Sequence, residues 1–167
     1  MRQISILGCG WLGLPLAEHL IEKGFVVKGS TTSENRLLEL KKKQINPFLI
    51  ELLPQEILGD FEGFLKGSKI LIIDIPPKLR SENSVSFVSK IKNFIEKAVL
   101  NSSVENVLFI SSTSVYGEEA INVTEETPEN PATLSGKELL ETEHFLQQQT
   151  AFKTTILRFG GLVGTNR

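Results

Sequence analysis

Ile4-Ser5-Ile6-Leu7 runs directly into Gly8-Cys9-Gly10-Trp11-Leu12-Gly13 and then Leu14-Pro15-Leu16-Ala17, so an apolar strand passes through a glycine turn into a helical pattern. Few folds accommodate that passage. The G-x-G-x-x-G spacing gives the three glycines different roles, in which Gly8 permits a tight turn, Gly10 leaves the backbone open to a pyrophosphate, and Gly13 lets the helix pack closely on the strand. The first N–H groups of the helix then face that phosphate, where the positive end of the helix dipole favours an anion. The spacing alone also suits a turn without a ligand. The strand before it and the helix behind it make it the opening of a βαβ unit, with Gly8, Cys9, Gly10, Trp11, Leu12 and Gly13 as candidate dinucleotide contacts.

The helix carries Leu12, Leu16, Leu20 and Ile21 on one face, tolerates Pro15 in its first turn and ends at Gly24. A second strand follows at Phe25-Val26-Val27-Lys28-Gly29-Ser30, whose far end should reach an adenosine ribose. An NAD site usually places an acid there, ~20 residues beyond the glycines. This chain offers Ser30, Thr31 and Thr32, with Arg36 one helical turn later. Hydroxyls and a cation suit a 2′-phosphate, so the expected cofactor is NADP, with NAD as the alternative. The competing reading is that Thr32 or Ser33 only caps the helix holding Leu37, Leu38 and Leu40.

A third strand is expected at Pro47-Phe48-Leu49-Ile50-Glu51-Leu52, and residues 54–66 form a less regular segment with Phe61 and Phe64 covering the sheet edge. Lys69-Ile70-Leu71-Ile72-Ile73-Asp74-Ile75 reads as a central parallel strand stopped by Pro76-Pro77. Its end lies where open α/β sheets bind ligands, which adds Ile75 and Pro76 to the cofactor contacts. Asp74 there is either a catalytic acid or, the simpler reading, a carboxylate bonded to loop backbone. Residues 84–100 make the longest helical pattern, with Val88, Ile91, Phe94, Ile95, Ala98 and Val99 as a wide apolar stripe. A fifth strand, Val107-Leu108-Phe109-Ile110, leads into Ser111-Ser112-Thr113-Ser114-Val115-Tyr116-Gly117. Four hydroxyls at a strand's carboxyl end again mark a ligand position, and Ser111 joins the cofactor contacts. An acidic loop over 118–131, a helix over 135–149 and a sixth strand, Lys153-Thr154-Thr155-Ile156-Leu157-Arg158-Phe159, complete the pattern. The fold class that fits is α/β, a doubly wound parallel sheet of the Rossmann-like NAD(P)-binding kind, with at least six strands and the crevice between strands one and four.

A chain of 167 residues with 18 basic and 20 acidic side chains has neither the basic excess of a nucleic-acid binder nor the polarity of a disordered chain. No apolar run reaches the ~18 residues needed to span a bilayer, and Met1-Arg2-Gln3 leads straight into a strand. The expectation is a single cytoplasmic domain over 1–167, with no nucleic-acid or membrane partner. Cys9 is the only cysteine, read as a small turn residue rather than a reactive thiol, and no metal is expected.

These residues resemble the N-terminal part of the extended and atypical short-chain dehydrogenase/reductase superfamily, in the NAD-dependent epimerase/dehydratase group. The likeness rests on Gly8-Cys9-Gly10-Trp11-Leu12-Gly13, on Phe109-Ile110-Ser111-Ser112-Thr113-Ser114-Val115-Tyr116-Gly117, on Glu126-Thr127-Pro128, and on Ile156-Leu157-Arg158 leading to Val163-Gly164. It implies that Ser112, with Thr113 beside it, meets the substrate. It also implies a Tyr-x-x-x-Lys pair, in which the tyrosine moves the substrate proton and the lysine lowers its pKa. Here that pair departs from the pattern. Counting back from Lys137 puts Thr133 at the tyrosine; matching Gly136 and Glu143 puts Ser135 at the tyrosine and Leu139 at the lysine, and this second register keeps more matches. Family members continue into a substrate-binding portion, which the expected single domain lacks.

Two readings therefore stand. One is an NAD(P)-binding oxidoreductase-like protein with an unidentified small-molecule substrate, inactive or weakly active as this chain. The other is a non-catalytic dinucleotide-binding module or sensor. A methyltransferase would need an acid after the second strand, and a β-hydroxyacid-type dehydrogenase would not carry Ser-Ser-x-x-Val-Tyr-Gly. The apolar stripe of 84–100 and the resemblance also suggest a homodimer through that helix and the one at 135–149.

Overall fold

The computed structural model describes residues 2–77, 86–117 and 122–164. Strand β1 (Gln3–Leu7), helix α1 (Gly13–Glu22) and strand β2 (Val26–Thr31) form the first βαβ unit, and a short 3₁₀ turn leads to α2 (Leu37–Lys42) and β3 (Asn46–Leu49). After β4 (Glu51–Leu52), β5 (Ile57–Leu58) and α3 (Phe61–Leu65), the second half runs through β6 (Ile70–Ile73), α4 (Phe87–Phe94), β7 (Asn106–Ser112), α5 (Leu134–Gln147) and β8 (Lys153–Phe159). The main sheet has the order β3-β2-β1-β6-β7-β8, every pair parallel. This is the expected doubly wound sheet. The strand order reverses between β1 and β6, and a crevice opens at their carboxyl ends.

Both faces of the sheet are covered, which is why β6 reads as the unbroken apolar run Ile70-Leu71-Ile72-Ile73. On one face Ile4, Ile6, Val27, Ile72 and Ala17 pack together; on the other Leu71, Ile73, Val107 and Phe109 meet α4 and α5. Phe87 stacks on Phe109 with ring centroids 6.3 Å apart.

Three elements differ from their sequence reading. The third strand is divided. β3 stays in the main sheet, the chain bends at buried Ile50, whose N–H donates to Thr31 O at 3.0 Å, and β4 pairs antiparallel with β5. Segment 54–66 is therefore a hairpin and a helical turn, and Phe64 is fully buried in the core rather than laid on an edge. The turn α3 is tied down by polar groups: Ser5 Oγ donates to Phe64 O at 2.6 Å, and Lys28 Nζ donates to Gly63 O and Lys66 O at 2.7 Å each. Such cations complement the exposed carbonyls at a helix end.

The apolar stripe of 88–99 is the chain's own core. Val88, Ile91, Phe94, Ile95, Ala98 and Val99 are each 5% exposed or less. Beyond Phe94 the helix widens into a π-type segment, Ile95–Val99, closed by the Leu100 N–H on Ile95 O at 3.0 Å, which turns adjacent Phe94 and Ile95 and adjacent Ala98 and Val99 inward together. With the stripe buried inside one chain, its width no longer argues for a homodimer. The expected start of that helix at Ser84, part of the acidic loop (118–121) and Thr165-Asn166-Arg167 lie outside the described residues.

Candidate functional site

The carboxyl ends of β1 and β6 set the floor of the site. At Gly8 the backbone turns with φ +103°, and a Cβ there would run into the Asp74 carbonyl and come within 2.7 Å of Ile75 Cγ2. Only glycine fits without strain. Gly13, the first residue of α1, packs against the Gly8 carbonyl, with Asp74 Oδ2 2.9 Å from the place of its missing Cβ. Gly10 is different: a Cβ there would meet no atom within 4 Å. The space above it is open.

Ser30 braces this turn from β2. Its Oγ accepts from the Gly8 N–H at 2.9 Å and its carbonyl accepts from the Cys9 N–H at 2.8 Å. Cys9 is 1% exposed and its Sγ is seated on Gly29, where a Cβ would also press on Ile45. Burial, with the nearby Asp74, pushes the thiol up to about 12 against the opposing pull of Arg36 and the Ser30 backbone. Cys9 is thus a packing residue of the turn, as its size and position suggested.

A crevice of about 720 Å³ spreads from this floor, within the ~300–1,000 Å³ common for small-molecule sites. Gly8, Cys9, Gly10, Trp11 and Leu12 line its middle; Ser30, Thr31, Thr32 and Arg36 line one end; Ile75, Pro76, Ser111 and Ser112 line the other. Gly13 lies beneath, and Thr113 stays outside the lining, its Oγ1 4.0 Å from the Cβ position of Gly160. Thr31 Oγ1 accepts from the Ser33 N–H at 3.2 Å, and Arg36 Nε lies 3.3 Å from Glu39 Oε2. Neither Thr32 nor Ser33 makes a side-chain cap on the turn that follows, and Thr32 lines the crevice instead. Asp74 also lines it, and its N–H donates to Leu7 O at 2.8 Å. Burial pushes its carboxyl up to about 7, the facing Gly13 amide opposing the rise.

At the far end, Ser112 Oγ accepts from the Ser114 N–H at 3.1 Å, which leaves its O–H to donate. Gly136 lets the start of α5 approach this turn, since a Cβ there would strike the Ser114 carbonyl. Thr133 caps α5 by accepting from the Gly136 N–H at 3.0 Å, and Lys137 is exposed and outside the crevice. Leu139 lines the crevice, together with Phe87 and Lys90 on one face of α4. The sequence reading did not place these last two. Their i, i+3 spacing was the available signal, on the flank of the stripe that begins at Val88.

Behind the hydroxyl turn lies a buried ionic cluster. Glu143 is 0% exposed, accepts from Ser111 Oγ at 2.5 Å, and accepts from Arg158 at Nε (3.0 Å) and Nη2 (2.6 Å). Arg158 also reaches Glu129 Oε1 and the Tyr116 hydroxyl, each at 2.6 Å, and lies over the Tyr116 ring. These carboxylates and the phenol hold the guanidinium above its already high value, Glu143 most of all. Arg158 in turn holds the Glu129 carboxyl below the usual range. Tyr116 itself donates to Thr124 O at 3.1 Å, so the chain's one phenol is spent within this cluster.

No family model matches the chain. It is 32% identical over 168 residues to Protein YeeZ of Escherichia coli K12, an alignment covering 100% of this chain and 61% of that protein. Among solved structures, a putative NAD-dependent epimerase/dehydratase from Methylobacillus flagellatus is 29% identical with a TM-score of 0.70, covering 99% of this chain and 56% of that one. A UDP-glucuronic acid 4-epimerase from Bacillus cereus, solved in complex with NAD, is 17% identical with a TM-score of 0.77, covering 95% of this chain and 56% of that one. The chain thus spans little more than half the length of the proteins it matches. Its structural neighbours are members of the NAD-dependent epimerase/dehydratase group and of the short-chain dehydrogenase/reductase superfamily.

Proposed function

We propose that this chain holds a nicotinamide dinucleotide, as the cofactor-binding portion of an oxidoreductase-like protein of the epimerase/dehydratase group. The observation that carries the reading is the open ground over Gly10, in a crevice at the reversal of strand order and at the start of α1. A bound pyrophosphate would sit over Gly10, facing the first amides of α1. Thr32 and Arg36 would hold the dinucleotide's adenosine side, and Ile75, Pro76, Ser111 and Ser112 its nicotinamide side. When bound, the dinucleotide supplies hydride acceptance and donation. The chain supplies position: the Ser112 O–H donates to a substrate carbonyl or hydroxyl oxygen, and the buried Ser111–Glu143 bond fixes the strand end that carries it.

Arg36 and Thr32 favour NADP over NAD. Ser30, committed to the Gly8 amide, contributes by bracing the turn. Trp11, the only tryptophan, lines the crevice and reports binding through its fluorescence. NADPH is expected to bind more tightly than NADH, and Arg36→Ala to narrow that preference roughly five- to tenfold, the size of one exposed charge-assisted contact. An unchanged preference in Arg36→Ala would exclude Arg36 as the selecting residue.

A second reading, a binding module without catalysis, is favoured by Leu139 in the crevice and by the committed state of Tyr116. General-base help is worth ~10²–10⁴-fold, and neither Ser135 nor Thr133 has the acidity to supply it. The chain is therefore expected to bind dinucleotide yet show little or no oxidation or epimerisation of nucleotide sugars, with Ser135→Tyr alone restoring none. Robust turnover by the 167-residue chain would refute this second reading.

A further inference from the structure

Among the charged residues of the crevice, Asp74 stands against the glycine turn itself. Its backbone is locked to β1 by the Leu7 carbonyl, one residue beyond the paired strand β6, and Oδ2 sits by Gly13 at the first turn of α1. Asp74 also lines the crevice that would hold a pyrophosphate over Gly10, so its carboxyl and that anion face the same space. We propose that Asp74 makes ligand binding at this crevice proton-linked: an anion over the glycine turn binds well when the Asp74 carboxyl is protonated and poorly when it is ionised. The inference rests on the dinucleotide reading above and goes on to say how pH governs that same site.

The coupling is electrostatic. A pyrophosphate diester brings two negative charges to the start of α1, and a carboxylate lodged there repels them across a partly desolvated gap. The groups around Asp74 do not neutralise it. Cys9, from the turn, keeps its proton at neutral pH. Arg36, beyond β2, is engaged with Glu39. Glu51 from β4 is a further acid on the crevice wall, and Lys90 from α4 lines the wall without an ion pair to Asp74. Among the described residues no salt bridge reaches Asp74. Burial without a cationic partner is what raises the carboxyl to about 7, so the titration falls in the neutral range.

The sign follows from that rise. Folding favours the protonated carboxyl, so the stabilising contribution of protonation is fully present below the ordinary aspartate range and is lost as pH climbs through about 7. Ligand binding adds a second preference for the same proton. Affinity should fall as pH rises over this window.

The test is a titration of NADH against Trp11 fluorescence between about pH 6 and pH 9, where NADH is preferred to NADPH because a 2′-phosphate itself titrates near ~6. The wild-type dissociation constant is expected to rise roughly tenfold over this range, and Asp74→Asn to bind tightly throughout with a flat profile. Without any ligand, Asp74→Asn should raise Tm more at pH ~8 than at pH ~5. A flat wild-type profile overturns the proposal and leaves the dinucleotide reading standing. A slope that survives in Asp74→Asn also overturns it and assigns the titration to another group. Failure of wild type and variant alike to bind NADH at any pH overturns both readings together.

Discussion

Gly10→Val is expected to abolish dinucleotide binding while leaving the fold intact. The side chain would enter space that no protein atom occupies, at a residue whose backbone lies outside the left-handed region, so the native state loses little. It would instead stand where the pyrophosphate must approach the backbone, and a weakening of more than about 100-fold is expected from the lost contact and the blocked amides. Gly8→Ala provides the contrast. There the left-handed backbone and the Asp74 carbonyl both oppose a Cβ, and the protein should lose about 2–4 kcal/mol of stability. NADH titration followed by thermal melting separates the two outcomes. Undiminished binding by Gly10→Val would remove the central observation behind the proposed function.

Arg158→Leu is expected to be more destabilising than any of the substitutions above. It strips Glu143, fully buried, of its only cationic partner among the described residues, and breaking a buried pair in this way costs about 3–5 kcal/mol, a fall in Tm on the order of 10 °C for a chain of this size. Replacing both partners, Glu143→Met with Arg158→Met, should recover much of the loss, because two apolar groups leave no stranded charge. Urea denaturation of the single and double variants closes the cycle. A loss below about 1 kcal/mol in Arg158→Leu would show that water or Ser111 already satisfies the carboxylate, and that the cluster does not hold the end of β7.

The parts of the structure legible in the sequence are those whose signal is local. The glycine turn announces itself because Gly8 needs a positive φ and Gly13 a close approach, constraints that residue type expresses directly. The central strand β6 is equally plain, since burial on both faces leaves an unbroken apolar run. The β4–β5 hairpin is not legible because two-residue strands are too short for any alternation to appear, and the burial of Phe64 is hidden because a five-residue helix has no periodic face. In the site, the crevice-facing residues of the loops follow from the rule that ligands bind at strand ends. Phe87, Lys90 and Leu139 come from helix flanks, where one stripe serves core and crevice at once. Glu143 lies between Leu139 and Leu146 on the buried face of α5, and nothing nearby in sequence accounts for a charge there. Its partner Arg158 stands on another element, brought near only by the packing of α5 on β8.

The seating of Cys9 on Gly29 ties the first βα turn to the neighbouring strand by size alone. Any side chain at position 29 must take the volume now filled by sulfur and also press on Ile45 Cγ2, so an enlargement there is admissible only in a background already made smaller at position 9 and able to shift Ile45. The two sites form an ordered route of sequence change, contraction in the turn before growth in the strand. A lineage that began with the strand would pass through an overpacked intermediate, at the cost such crowding carries in a close-packed interior.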